Sequence, residues 1–367
     1  MTVSEGATPP NPPGGAFSST MPAVVYRKPG VLDVGEQPRP AVGPHDVLIE
    51  VSHCGVCGSD LHLVLEGWGR PGTIPGHEYS GVVAEVGAQV RDWAAGDLVV
   101  GGPDTPCGEC AMCRARRPSL CSGRHAVGRE EYQGAFARYV LLPEDRVLAI
   151  PPGLDERAAA LCEPLAVAMH AVTSSRVDLD ASSRVLVSGA GPIGALVLAV
   201  LVARGVEDVV VVEPGERRRE LAAALGAREV RLPSDLDVPT IAEPDREVDG
   251  AVDVVFECSG HRVAIEAGLA QLRRGGTLVL VGAGIDPPHL DGNRILLNEL
   301  WVTGSFNYDH GGFEAALDLL ASGALAVDLL VEPEDVPLDG LLDAMRRLAG
   351  GELAGKVMVV PHVEGEV

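Results

Sequence analysis

Positive charge is scarce in this chain of 367 residues: 29 lysines and arginines stand against 52 aspartates and glutamates, a net charge of −23. That balance, with a pI near 4.7, excludes partners such as nucleic acid or an anionic membrane surface, which are held by clustered cations. Long apolar runs are also missing. The nearest approach, residues 193–202, has the length of a buried helix and falls short of the ~20 residues that cross a bilayer. The first twenty residues carry Pro9, Pro10, Pro12, Pro13, Gly14 and Gly15 but neither a cationic start nor an apolar core. They are expected to be a disordered tail rather than a signal or transit peptide, and the cytoplasm is the expected location. No internal repeat is visible, and the acidic stretch 235–253 reads as a solvated loop and helix face.

What remains is enough apolar residue, 46% of the chain, for two or three cores. From Met21 to about Leu142 short apolar or alternating runs, DVLIEVS at 46–52, GVVAEV at 81–86 and DLVVG at 97–101, are separated by glycine and proline. This pattern predicts a mostly antiparallel β-domain. Near Leu165 the character changes. RVLVS (184–188), DVVVV (208–212), VDVVFE (252–257) and TLVLVG (277–282) read as buried strands, with helices at 193–204, 217–225 and 264–272 between them. Such alternation predicts a doubly wound parallel sheet, so the fold class is α/β. Phe313, Ala316, Leu317 and Leu320, then Leu341, Leu342, Met345 and Leu348, recur at helical spacing and are expected to pack back onto the first domain.

Eight cysteines without a secretion signal argue against disulfides, and four of them, Cys107, Cys110, Cys113 and Cys121, lie within fifteen positions. Four soft thiolates at this spacing suit one tetrahedral zinc ion in a closed, structural shell, with Gly108 allowing the tight turn. A second set has a different logic. In CGVCGSDLH (54–62) and GHE (76–78), Cys57, His77 and one carboxylate offer a mixed sulfur, nitrogen and oxygen shell. A zinc held by three such ligands keeps a fourth position for an alcohol oxygen, whose proton it acidifies. Ser59 and His62, three positions apart, are placed to carry that proton outward. Asp60 either accepts the free N–H of His77 or caps the local helix. Cys54, Cys162 and Cys258 are expected to be small core residues.

Gly189-x-Gly191-x-x-Gly194, with Pro192 and Ile193 inside it, lies between a predicted strand and a predicted helix. There its glycines make a tight turn and admit a pyrophosphate at the helix N-terminus. Glu213, 24 residues beyond Gly189, stands at the end of the next strand, where a carboxylate binds both ribose hydroxyls and repels a 2′-phosphate. NAD is therefore favoured over NADP. Arg217, Arg218 and Arg219 follow, and Arg218 is the candidate for a contact with adenine or phosphate.

Together CGVCGSDLH, GHE, the four-cysteine lobe, CEPLAV (162–167), GAGPIG (189–194) and FECSG (256–260) resemble the zinc-dependent medium-chain alcohol dehydrogenase family over 21–361. The branch that holds sorbitol, butanediol and threonine dehydrogenases is the most similar, through Glu163. The resemblance implies a zinc shell of Cys57, His77 and either Glu78 or Glu163. It also implies a GroES-like catalytic domain from 21–164 and 307–367, a Rossmann domain at 165–306, and nicotinamide contacts from Val281, Gly282, Ser305 and Phe306. A homo-oligomer, dimer or tetramer, is implied as well. Sorbitol dehydrogenases have arginine where Asn307 stands and an aromatic residue where Leu63 stands, so secondary alcohols, diols and cyclitols all remain as substrates. The expected activity is reversible, NAD-dependent oxidation of a secondary alcohol, diol or polyol to a ketone, with two zinc ions per chain. The alternatives are a zinc-free reductase of activated double bonds and a non-catalytic dinucleotide sensor.

Overall fold

The computed structural model describes residues 18–102, 106–123 and 133–361; of the expected tail only the last three residues fall among them. β1 (Thr20–Lys28) and β2 (Val31–Pro38) form an antiparallel ribbon. β3 (Asp46–Gly55), β4 (Glu78–Val86), β5 (Leu98–Gly101), β6 (Tyr139–Pro143) and β7 (Val147–Ala149) build an antiparallel sheet in which β3 pairs with β4 on one side and β6 on the other. Both faces of β3 are covered, and its side chains divide with the period of two that a pleated strand imposes. Val47, Ile49 and Val51 enter one core with Tyr79 and Phe136, while Leu48 enters another with Met21, Val25 and Ile74.

The second sheet contains β8 (Arg184–Ser188), β9 (Asp208–Val212), β10 (Glu229–Arg231), β11 (Val252–Glu257), β12 (Leu272–Leu280) and β13 (Trp301–Gly304). Its order is β10-β9-β8-β11-β12-β13 and every pairing is parallel. This is the doubly wound arrangement the alternating strands and helices predicted. Val185 and Val187 project into one core with Phe256, and Leu186 into the opposite one with Val255 and Leu278. The helix Pro192–Ala203 begins with proline, whose fixed φ and missing donor suit a first turn. It is buried from Gly194 to Leu201, which explains why its sequence is apolar all round rather than striped.

The end of the chain returns to the first sheet: β14 (Val336–Pro337) pairs with β15 (Met358–Val360), and β15 lies antiparallel to β3, placing Met358 opposite Gly55 and Val359 opposite Cys54. The two late helices divide. Leu341, Ala344, Met345 and Leu348 of the helix Leu341–Ala349 join the core of the β-rich half, with Leu342 only partly buried. Phe313, Ala316, Leu317 and Leu320 of the helix Gly312–Ala321 join a central core that holds Val100, Ile150 and Ala159 of the β-rich half together with Val185 and Val187 of the parallel sheet, so this helix packs where the two halves meet. The acidic stretch 235–253 carries no α-helix. Among the described residues no helix is long and apolar enough to cross a membrane.

Candidate active site

Antiparallel pairing of β3 with β4 sets Gly55 opposite Glu78. The register therefore brings Cys57, two residues past the end of β3, beside His77 and Glu78 at the start of β4. Gly76 enters β4 with φ +96°, and a Cβ there would meet the backbone nitrogen of Phe136 at 2.7 Å, so only glycine makes this approach. Cys57 is the N-cap of the helix Gly58–Val64. Ligand atoms of Cys57, His77 and Glu78 all lie within 4.8 Å of one another.

The donor set fits a cation. His77 Nδ1 is buried yet makes no hydrogen bond, and the Glu78 carboxylate is met by the Lys356 cation at 2.8 Å in a pocket that also holds Cys57 and Asp60. Burial would push His77 down, but the Cys57 thiolate and Asp60 outweigh it and hold the ring well above the usual histidine range. This is the signature of a strongly anionic pocket. Glu163 is buried in the first turn of the helix Cys162–Ser174 and its charge reaches His77 and Lys356, yet it lies outside the mutually close trio. Geometry thus brings Glu78, of the two candidate carboxylates, into the ligand group.

Asp60 is fully buried and caps the helix: its carboxylate accepts from the backbone N–H of Cys57 at 3.0 Å and from that of Gly76 at 3.4 Å. His77 Nδ1 stands 3.8 Å away, too far for a hydrogen bond, so of the two roles expected for Asp60 the geometry shows the helix cap. Asp60 instead ties together the two loops that present Cys57 and His77. Burial raises its carboxyl above the ordinary range.

Ser59 is exposed and His62 half-buried, both on the helix Gly58–Val64. His62 Nδ1 lies 2.7 Å from Glu66, and its ring stacks on Trp68 with centroids 4.7 Å apart. A residue missed by sequence reasoning sits beneath the trio. Lys356, 3% exposed, donates to Val56 O at 3.2 Å and to Glu78 Oε1 at 2.8 Å. A basic residue just ahead of an apolar strand carries no local signal of this role; it reaches the site because β15 pairs with β3.

In the cysteine lobe the four sulfurs of Cys107, Cys110, Cys113 and Cys121 lie within 4.8 Å of one another. Backbone N–H groups of Cys107, Cys110 and Cys113 point at Cys121, Cys107 and Cys110 sulfurs at 3.3–3.4 Å. The N–H of Cys113 lowers the Cys110 thiol to about 6, whereas desolvation and the neighbouring sulfurs push the Cys113 thiol up to about 12. Gly108 turns with φ +74° as expected. All eight cysteines are free. Cys54 and Cys162 are core residues, while Cys258 is half-buried under the glycine turn.

At the carboxyl ends of β8 and β9 the glycine turn forms as the spacing required. Gly189 has φ +87°, and a Cβ on Gly194 would fall 1.9 Å from Gly189 O, so the helix can approach the strand only without a side chain. Gly191 caps the helix whose first residues are Pro192 and Ile193. Glu213 is buried at the end of β9 and accepts from the N–H of Ala190 and of Gly215, each at 2.8 Å. Its carboxylate therefore holds the turn and keeps further lone pairs for a ribose. Arg218 is not a free surface arginine: it donates to Leu348 O at 2.7 Å while its guanidinium lies beside Gly191. Val281 and Gly282 donate to Glu257 O, and Ser305 to Leu280 O, at the same carboxyl edge of the sheet where such folds bind ligands. Ser305 Oγ is buried without a partner, and Phe306 is exposed.

Residues 43–152 match the family described as "Alcohol dehydrogenase GroES-like domain" and residues 192–322 the one described as "Zinc-binding dehydrogenase". "Probable D-xylulose reductase A" of Aspergillus clavatus is 34% identical over 328 residues, 86% of this chain and 91% of that relative. A Sinorhizobium meliloti structure described as a zinc-binding dehydrogenase bound to NADP is similar with a TM-score of 0.82 and 33% identity, covering 94% of this chain and all of that one. The structure of 2R,3R-butanediol dehydrogenase from Bacillus subtilis aligns with a TM-score of 0.81 and 31% identity, over 93% of this chain and 100% of that one.

Proposed function

The chain belongs to the zinc-dependent medium-chain alcohol dehydrogenase family, and from that premise we propose that it reversibly oxidises a secondary alcohol, diol or polyol to the ketone. The observation that carries this reading is the convergence of Cys57, His77 and Glu78, whose donor atoms all lie within 4.8 Å of one another. A zinc ion held by these three would supply Lewis acidity toward the alcohol oxygen, and NAD the hydride acceptor. Ser59 and His62 take the hydroxyl proton toward solvent. Glu163 adds negative charge behind the trio. Asp60 holds the two ligand loops at fixed separation through Cys57 and Gly76. Lys356 keeps Glu78 turned into the site.

Glu213 favours NAD, because its buried carboxylate at the end of β9 would face a 2′-phosphate with like charge. Gly189, Gly191 and Gly194 admit the pyrophosphate, and Val281, Gly282, Ser305 and Phe306 are assigned to the nicotinamide. The four-cysteine lobe is assigned a second, structural zinc. We take 21–164 with 307–367 as the catalytic domain and 165–306 as the dinucleotide domain. The exposed edge strand β13, with Trp301 61% and Val302 36% accessible, supports a homo-oligomer built through that edge. Eight free cysteines suit the reducing cytoplasm.

The test is a panel of secondary alcohols, diols and polyols with NAD and with NADP, followed by NADH absorbance, together with the zinc content. Cys57→Ala and His77→Ala are expected to abolish turnover and remove one zinc per chain while NADH still binds by fluorescence. Turnover surviving both substitutions would refute the assignment.

A further inference from the structure

We infer that Glu66 is a positioning residue for proton transfer, holding His62 in the one tautomer that can accept a proton at Nε2. The inference rests on His62 serving as the proton acceptor proposed above. His62 Nδ1 lies 2.7 Å from Glu66 Oε2, a full hydrogen bond. An ionised carboxylate can only accept, so the hydrogen in this bond belongs to Nδ1 and the lone pair is left on Nε2. Without the carboxylate, the ring returns to the Nε2–H form that free imidazole side chains prefer, and the position needed for proton uptake is blocked.

The local backbone is built to make this contact. The helix Gly58–Val64 ends just past His62, and Gly67 then turns with φ +85°. A Cβ at Gly67 would lie 2.8 Å from the Pro29 ring, so the turn is closed to other residues. The N–H of Trp68 donates to His62 O at 3.1 Å, which folds the chain back and lays the indole over the imidazole, 16° from parallel. Glu66 fixes the tautomer and Trp68 fixes the plane. The side chain of His62 is 19% accessible and that of Glu66 37%, so the pair leads from the protein to water.

The step balances. The hydroxyl proton of the alcohol passes by way of Ser59 to the Nε2 lone pair, and the ring becomes an imidazolium paired with Glu66. The Nδ1 proton then leaves to bulk water, and proton exchange with water returns the ring to its Nδ1–H form for the next turnover, while the hydride goes to the dinucleotide. One proton is released for each alcohol oxidised.

Two measurements on the zinc-loaded, full-length protein test this. Ring 15N spectra above the imidazole titration range, with His62 assigned by the loss of its signals in His62→Asn, are expected to show Nδ1–H in the parent and mainly Nε2–H in Glu66→Ala. In turnover, Glu66→Ala is expected to lower kcat for alcohol oxidation about threefold to thirtyfold, a part of the effect of a general base. KM should be unchanged, and added imidazole should restore much of the rate. A parent ring protonated on Nε2, or a tautomer or kcat that Glu66→Ala leaves alone, overturns the inference. A parent inactive with every alcohol and both dinucleotides would overturn the proposed function instead, and the spectra would still decide the tautomer.

Discussion

Replacing Lys356 with methionine isolates the most deeply buried charge pair beside the proposed site. The Lys356 and Glu78 side chains are 4% and 1% accessible, and Nζ lies 2.8 Å from a Glu78 oxygen. Methionine keeps most of the volume of the stem, so the perturbation is electrostatic: it strands a carboxylate with no counter-charge. Breaking a buried pair from one side costs about 3–5 kcal/mol. With an unfolding entropy of about 2.1 cal/mol/K per residue, the chain of 367 residues should lose about 4–6 °C in Tm if it melts as one unit, and more if the β-rich half melts alone. Glu78→Gln in the same background removes the stranded charge, so the double variant should recover part of the loss. Thermal unfolding of the parent, both single variants and the double variant, all stripped with one chelator, gives the coupling directly. A Lys356→Met protein melting within about 1 °C of the parent, or a double variant no more stable than Lys356→Met, would refute the reasoning.

Gly194→Ala should reduce NADH affinity at least about tenfold, because its Cβ would fall on Gly189 O; fluorescence titration checks this, and the zinc content should stay at the parental value. Cys113→Ser should remove one metal per chain and loosen 106–123, which is bonded to Asp309 through Ser119 Oγ at 2.6 Å; elemental analysis and limited proteolysis read both effects. Glu257 supplies a pH dependence. Burial raises its carboxyl, and the N–H groups of Ser259 and Gly260 offset only part of that. A carboxyl raised in the folded state contributes its full stability below the unfolded pKa and loses it as pH rises through the folded one. The Tm advantage of the parent over Glu257→Gln should therefore shrink as pH rises above about 4, and an advantage that grows would contradict the sign.

Local chemistry was readable wherever one short segment carries the whole requirement. The glycines at 189, 191 and 194 must sit where a strand meets a helix, and they do. The cysteine lobe closes over fifteen residues, so its spacing alone assembles it. The strands at 184–188, 208–212 and 252–257 were visible because both faces of a parallel sheet are buried and the runs are continuously apolar. Shorter or polar edge elements were not: β10 and β13 bury little, and nothing in Glu229–Arg231 or Trp301–Gly304 marks a strand without its neighbour.

From composition and spacing alone came the two candidate metal-ligand clusters, the glycine turn and the division into a β-rich and an α/β half, because each depends on residues close in sequence. Only the folded chain decided that Glu78 rather than Glu163 joins Cys57 and His77, that Asp60 grips two backbone loops rather than an imidazole, and that Lys356 lies beneath the trio. The reason is geometric. Those choices turn on strand register and on contacts spanning up to 300 residues, and a one-dimensional pattern carries no information about which distant side chains meet.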